Sequence, residues 1–303
     1  MKNDIKLLII AGTEKSGTTS LYQYLVDTNY FTTSVKKETD YLRQPECNIE
    51  EYLNANFEKV KGNTDTYLEA SPGYLADSII VSQNIKKLGL QNQNYVLIIR
   101  SPLERLISNF IFRKSRLYIK ESVTFDEYVE KSISYEKGTP LAELGMTEWC
   151  MRALDGGLYH KHIQHFKNIG IKNILVFEFK NFATNPQAVM NVIKNKFNLN
   201  YSLPENYSFE KSNVTFSAKN SIIQKFALFT NRKLESFFYK HPKVKHKILD
   251  FYKKINSKDK EKITIKKETL EILHSYYKSD IKKLCSDGYI TQETKDLWLK
   301  DFQ

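Results

Sequence analysis

The stretch LLIIAGTEKSGTTSLYQYL, Leu7 to Leu25, carries two glycines, Gly12 and Gly17, at the G-x-x-x-x-G spacing. An apolar run, a small-residue turn and a helical pattern in that order make a phosphate-binding loop. A nucleotide-triphosphate loop would follow its second glycine with Lys and Ser/Thr. Here Gly17 is followed by Thr18, Thr19 and Ser20, and the lysine, Lys15, sits inside the turn. Backbone N–H groups from Ser16 to Thr19, at a helix N-terminus, would face an anion that the helix dipole favours. Three hydroxyls add donors, and Lys15 adds one mobile cation. No lysine is placed to span outer phosphates, and no second-strand aspartate offers itself to magnesium. A ligand with a single 5′ anionic bridge, needing no metal, fits this loop better than Mg-ATP.

A second constellation is RSPLERLISNF, Arg100 to Phe110. The apolar run NYVLII ends at Arg100, and Pro102 suits the first position of a helix. Arg105 and Ser108 are three apart and share a helix face. The C-terminal end of a strand, beside a helix N-terminus, is where open α/β sheets bind ligands. An arginine fork at Arg100 with the Ser108 hydroxyl would hold a second, separate phosphate. A ligand with both a 5′ and a 3′ phosphate would use both crossings. Each motif taken alone also has a plain structural reading: a glycine turn before a helix, and a helix start with exposed charges.

The elements that must position these residues are legible as alternating runs. Apolar, β-branched segments at 6–11, 94–99 and 173–179, with weaker ones at 31–36 and 66–70, predict buried parallel strands. Helical patterns lie between them at 17–28, 49–60, 78–89, 102–118, 124–135, 147–168 and 186–197. Such alternation predicts an α/β fold, a P-loop-like open parallel sheet flanked by helices. Past residue 200 helical periodicity takes over, at 218–239, 243–256, 267–286 and 291–299. The expected organisation is one domain over residues 1–303, with an α/β core in 1–200 and a helical C-terminal part in 201–303.

The net charge of +11 favours anionic partners without choosing among them. No nucleic-acid module accompanies the charge, so nucleic acid is not an expected partner. The lysine-rich stretch KKINSKDKEKITIKK, 253–267, reads as solvated helix faces or as a basic wall beside an anionic substrate. The three cysteines, Cys47, Cys150 and Cys285, show no CxxC spacing, which argues against a zinc site and suits a reducing compartment. The run IKLLIIA at 5–11 is too short for a secretory signal, and no apolar run reaches the roughly 20 residues of a membrane helix. The expectation is a cytoplasmic protein with no stable membrane insertion. His160, His162 and His165 do not all share a helix face and read as packing or surface residues rather than metal ligands. Tyr22, Tyr24 and Leu25 read as core contacts of the helix after the loop.

Taken together, these motifs resemble those of the sulfotransferases that use 3′-phosphoadenosine 5′-phosphosulfate. KSGTTSLYQYL is similar to the family's 5′-phosphosulfate loop, K-[ST]-G-T-[ST], and RSPLERLISNF to its 3′-phosphate motif, R-x-P-x-x-R-x-x-S-x-[YF]. Looser likenesses point to the carbohydrate (heparan-sulfate-type) and bacterial branch. They are KKETDYL at 36–42, EASPGYL at 69–75 and GLYHKHIQHF at 157–166, while the stretch at 270–289 is similar to the closing helix of the family as a whole. The resemblance implies a sulfuryl transfer to an acceptor hydroxyl or amine, in line, with a carbohydrate as the acceptor. It implies Glu38 as the general base and Lys15 on the oxygen bridging phosphate and sulfate. It implies Ser16, Gly17, Thr18, Thr19 and Ser20 around the 5′ phosphate, and Arg100 and Ser108 on the 3′ phosphate. Lys219, in SNVTFSAKN, is the candidate from the loop that closes over the nucleotide. The chain departs from the pattern at Ala70, where E-K-[ST]-P has its lysine, and at Asp40, where the branch often has histidine. Two alternatives stand beside this reading: the same reaction on a lipid or small secondary metabolite, and a P-loop kinase or nucleotide-binding module.

Overall fold

A computed structural model describes residues 6–57, 65–210, 217–218, 221–234, 244, 248, 252, 256–258 and 263–303. Five strands form one parallel sheet: β1 (Lys6–Gly12), β2 (Thr32–Thr33), β3 (Thr66–Ala70), β4 (Asn94–Ile99) and β5 (Ile174–Glu178), in the order β2-β3-β1-β4-β5. β1 is central, with Leu8 opposite Leu68 on one edge and Ile9 opposite Tyr95 on the other. Alternate residues point to opposite faces of a strand, and here both faces are covered. Leu8, Ile10, Leu68, Val96 and Ile98 share a core with Leu21, Tyr22, Tyr24 and Leu25 of the helix after β1, together with Phe182, Val189, Met190 and Ile193. On the other face Leu7, Ile9, Tyr95, Leu97 and Ile99 are also buried, and Tyr95 meets the ring of Phe166 at 6.2 Å. Burial on both faces is why the strands read as continuous apolar runs rather than as alternating ones.

In chain order the helices are α1 (Thr18–Val26), α2 (Ile49–Asn56), α3 (Ser78–Leu88), α4 (Pro102–Ser115), α5 (Phe125–Glu136), α6 (Leu141–Leu144) and α7 (Glu148–Met151). They continue with α8 (Tyr159–Asn168), α9 (Phe179–Thr184), α10 (Pro186–Lys196), α11 (Ser221–Lys233), α12 (Lys267–Ser286) and α13 (Gln292–Lys300). Among the described residues no helix is long and apolar enough to cross a membrane.

The chain divides into two compact units. The first comprises 1–105, 155–213 and 270–303, and so joins the sheet to the last two helices. The second comprises 106–154 and 214–269. It has its own core, in which Phe110 meets Phe125 at 5.5 Å and Tyr128 at 5.3 Å. There the fully buried Arg113 donates to the Tyr128 hydroxyl (2.7 Å) and the Cys150 carbonyl (2.6 Å) and stacks on Trp149. A short antiparallel pair, β6 (Ser217–Ala218) with β7 (Ser257–Lys258), belongs to this unit as well.

The helix expected over 147–168 is broken. α7 stops at Met151, a single 3-10 turn spans Asp155–Gly157, and α8 starts at Tyr159. The cause is the pair Gly156-Gly157. Two glycines weaken a helix interior, and Gly157 lies so close to Tyr277 of α12 that a Cβ there would come within 2.8 Å of the ring. The restart leaves the first N–H groups of α8 needing acceptors. Asp280 of α12 supplies both, Oδ2 to His160 N (2.9 Å) and Oδ1 to Lys161 N (3.0 Å). Asp280→Ala removes this remote cap. Expected is a loss of about 1–2 kcal/mol, read as a midpoint lower by a few degrees in thermal denaturation, with Asp280→Asn losing less.

Candidate active site

The loop after β1 is shaped by the strand beside it. Thr13 N donates to the Ile98 carbonyl of β4 (2.9 Å), and the Thr13 hydroxyl donates to the same oxygen (2.5 Å) while meeting Ser16 Oγ at 3.0 Å. Lys15 turns in the left-handed region with φ 68°, and its side chain is half-buried. Gly17 precedes α1 with φ 84°, and no side chain caps that helix. A Cβ on Gly17 would lie 3.0 Å from the Phe179 ring and 3.1 Å from Phe182, so both backbone angle and space require glycine there. Ser16 and Thr18 are buried, and Thr19 is half-buried. Ser20 stands one turn into α1, buried, with its hydroxyl bonded to Tyr24 on the core side.

Neighbouring strand ends bring further groups to this loop. The Glu38 N–H donates to the Ala70 carbonyl at the end of β3 (3.0 Å), and Ser71 N donates to Ile10 O of β1 (3.2 Å). Strands lie about 4.8 Å apart, so the Glu38 segment is one strand from the Lys15 loop, on the side opposite Arg100. Glu38 has φ 67° and a side chain 51% exposed, with Lys37 Nζ 2.5 Å from its carboxylate. Asp40, two residues on, accepts from Arg43 (3.3 Å), and Arg43 also pairs with Asp77 (2.5 Å). Burial raises the pKa of Asp40 against the pull of Arg43, and the charges of Glu38 and Glu14 push it the same way. Three carboxylates therefore share one electrostatic neighbourhood at the rim of the loop.

Arg100 follows β4 directly. Its Nε donates to Glu104 (2.8 Å), its guanidinium lies 4.9 Å from the Phe179 ring centre, and its carbonyl accepts from the Tyr159 hydroxyl (2.8 Å). Phe179 thus touches both Gly17 and Arg100. Arg105 is buried near Gly156, where a Cβ would sit 3.5 Å from its Nη1. Ser108 is half-buried on α4, in the second unit. Lys219 lies outside the described residues.

This architecture, with an uncapped helix N-terminus after β1 and an arginine ending β4, has known relatives. The sulfotransferase domain family matches residues 6–285. The chain belongs to the sulfotransferase family. The sulfotransferase of Alicyclobacillus acidocaldarius shares the fold, with a TM-score of 0.63 over 95% of this chain and 98% of that one at 16% identity. The sulfotransferase domain of the curacin biosynthetic pathway aligns at a TM-score of 0.38 and 13% identity, over 69% of this chain and 81% of that one. The sulfotransferase domain of the Synechococcus PCC 7002 olefin synthase aligns at 0.35 and 12%, over 67% of this chain and 78% of that one. No match emerges among curated protein sequences.

The sulfotransferase also contains groups that its motifs do not announce. Glu69, at the end of β3, is 0% exposed. Its Oε1 accepts from Thr39 (2.5 Å), Tyr74 (2.5 Å) and Ser71 (2.8 Å), and its Oε2 accepts from the Tyr52 hydroxyl. Thr39 lies between Glu38 and Asp40, and Ser71 Oγ in turn accepts from Asp40 N (3.1 Å). The buried carboxylate thus ties the Glu38 segment to the sheet. A glutamate inside the run TYLEA was the available signal, because a buried charge demands donors. His162 and His165 are likewise engaged, each through Nδ1 with Ser78 Oγ at 2.8 Å, and His160 Nε2 meets Asp287 at 3.1 Å. None of the described residues groups as a metal cluster.

Glu69→Ala leaves several buried hydroxyls without their acceptor and costs about 3–5 kcal/mol. Glu69→Gln keeps one oxygen and costs less. Burial holds the Glu69 pKa above its ordinary 4.5, against its four hydroxyl donors. An acid raised in the folded state binds its proton more tightly there than in the unfolded chain. Its contribution is therefore full below 4.5 and is lost as pH rises through the folded value. Denaturant unfolding of wild type and Glu69→Gln should accordingly show the wild-type advantage shrinking as pH rises above 4.5.

Proposed function

We propose that this sulfotransferase moves a sulfuryl group from 3′-phosphoadenosine 5′-phosphosulfate to an acceptor hydroxyl or amine, without a metal. The observation that carries the reading is the P-loop-like turn with its lysine inside it and threonines after Gly17, one strand from an arginine that ends β4. The residues fit such a donor. Uncapped N–H groups at the start of α1, with Ser16, Gly17, Thr18 and Thr19, suit the 5′ phosphate. Arg100, its Nε held by Glu104 and its plane against Phe179, suits the 3′ phosphate, with Ser108 assigned from the sequence motif alone.

In the proposed mechanism Glu38 removes the proton from the acceptor as the acceptor oxygen or nitrogen bonds to sulfur. A positioned base of this kind contributes typically 10²–10⁴-fold. The bond from sulfur to the bridging oxygen breaks, and Lys15 stabilises the charge that grows on that oxygen. Positioning does most of the remaining work, as in phosphoryl transfer. Lys37 pairs with the Glu38 carboxylate and so orients it beside the loop.

A carbohydrate acceptor follows from the likeness of KKETDYL and EASPGYL to the carbohydrate branch.

Thermal unfolding with adenosine 3′,5′-bisphosphate, set against Mg-ATP, tests the donor. Ligand at about 100 times its dissociation constant adds roughly 2.7 kcal/mol, which raises the midpoint by several degrees. A rise with Mg-ATP and none with the bisphosphate would return the loop to a triphosphate site. Glu38→Gln should lose at least about 100-fold in transfer of radiolabelled sulfate to a panel of neutral oligosaccharides, while binding the bisphosphate as wild type does. A variant that keeps most of its rate would pass the role of base to Asp40.

A further inference from the structure

The end of the chain returns to Arg100. The Ser101 hydroxyl donates to Asp301 Oδ2, across 200 residues of sequence. In the first turn of α13, Thr294 Oγ1 donates to Glu178 at the end of β5 (2.7 Å). Trp298 of α13 packs against Tyr159 with ring centres 6.4 Å apart, and Tyr159 is the residue whose hydroxyl holds the Arg100 carbonyl. Phe302 stacks on His274 and meets Tyr277 of α12, which seats the residues after α13. The peptide that follows Arg100 is therefore held at both ends, at the Arg100 carbonyl by Tyr159 and at the Ser101 side chain by Asp301. Neither partner belongs to the motif Arg100 to Phe110.

We propose that Asp301 is a positioning residue for the nucleotide's 3′ phosphate, fixing through Ser101 the backbone from which Arg100 reaches that phosphate. This rests on the donor reading above. Charge alone would argue against an aspartate here. Asp301 and Glu104 both act on Arg100 electrostatically, and a negative charge near an anion site weakens anion binding. Two opposite signs are thus available. If Asp301 acts only as a charge, removing it tightens the bisphosphate. If it acts by holding Ser101, removing it loosens the bisphosphate, and a neutral side chain that still accepts the hydrogen bond restores it.

Calorimetric titration of the intact chain with adenosine 3′,5′-bisphosphate, and separately with adenosine 5′-monophosphate, distinguishes the two. Asp301→Ala should lose about tenfold for the bisphosphate, the scale of one hydrogen bond to a charged group, with affinity for the monophosphate unchanged. Asp301→Asn, which keeps an acceptor oxygen and drops the charge, should bind the bisphosphate at least as tightly as wild type. Ser101→Ala should match Asp301→Ala, and the double variant should be no worse than either alone. Should Asp301→Ala fail to fold in a thermal melt, Ser101→Ala reads the same bond from its other end. The proposal is overturned if Asp301→Ala binds the bisphosphate as wild type or better, or loses affinity for both nucleotides equally. A wild-type chain that binds the two nucleotides alike would remove the donor reading, and this inference with it.

Discussion

The central strand β1 is hydrogen-bonded on both edges, to β3 and to β4, and that double pairing governs the placement of every candidate group in the first unit. Because the pairing is parallel, the chain leaves all three strands on the same side of the sheet. The Lys15 turn, the Ala70–Ser71 step and Arg100 become neighbours although about thirty to eighty-five residues separate them in sequence. Thr13 extends the constraint past the strand, since its amide and its hydroxyl both seek the Ile98 carbonyl. Two donors on one buried acceptor fix where the turn begins. Gly17 fixes where it ends, because only glycine meets both the backbone angle and the approach of Phe179 and Phe182.

Around that edge, cations are held by carboxylates rather than left in a single basic field. Lys37 pairs with Glu38, Arg43 with Asp40 and Asp77, and Arg100 with Glu104. Exposed pairs contribute little to stability, typically under about 1 kcal/mol. Their value at a site is directional. An arginine whose Nε is occupied presents its terminal nitrogens in a set orientation. The overall charge of +11 therefore describes the surface better than it describes this edge.

How much of this was legible in the sequence depends on the range of the interaction responsible. Asn94–Ile99 and Lys267–Ser286 have the bounds that their patterns predict, because burial on both faces in one case and a long 3.6-residue period in the other are local signals. The runs around Gly17 and Arg100 stand out for the same reason, being compact stretches of chemically distinctive residues. The break at Gly156-Gly157 overrode an otherwise helical pattern because Tyr277, more than a hundred residues away, occupies the space beside it. The donors around Glu69 stayed hidden because Thr39 and Tyr52 come from other segments, 30 and 17 residues distant. Ser20 reads as a loop donor by its spacing, yet the helical turn carries its hydroxyl toward Tyr24.

The remote cap on α8 has a bearing on how the protein is made. A helix of ten residues gains little from its own propensity, and the two N–H groups at its start find their acceptors on Asp280, 119 and 120 residues later. On the ribosome, residues 159–168 emerge well before residue 280 exists. At a typical elongation rate of about 5–20 residues per second, that interval lasts from several seconds to some tens of seconds. Throughout it α8 has water where its cap will be, and the Tyr159 hydroxyl has no Trp298 behind it. The part of the sheet unit nearest Arg100 is thus completed only after α12 and α13 have been made, long after α8.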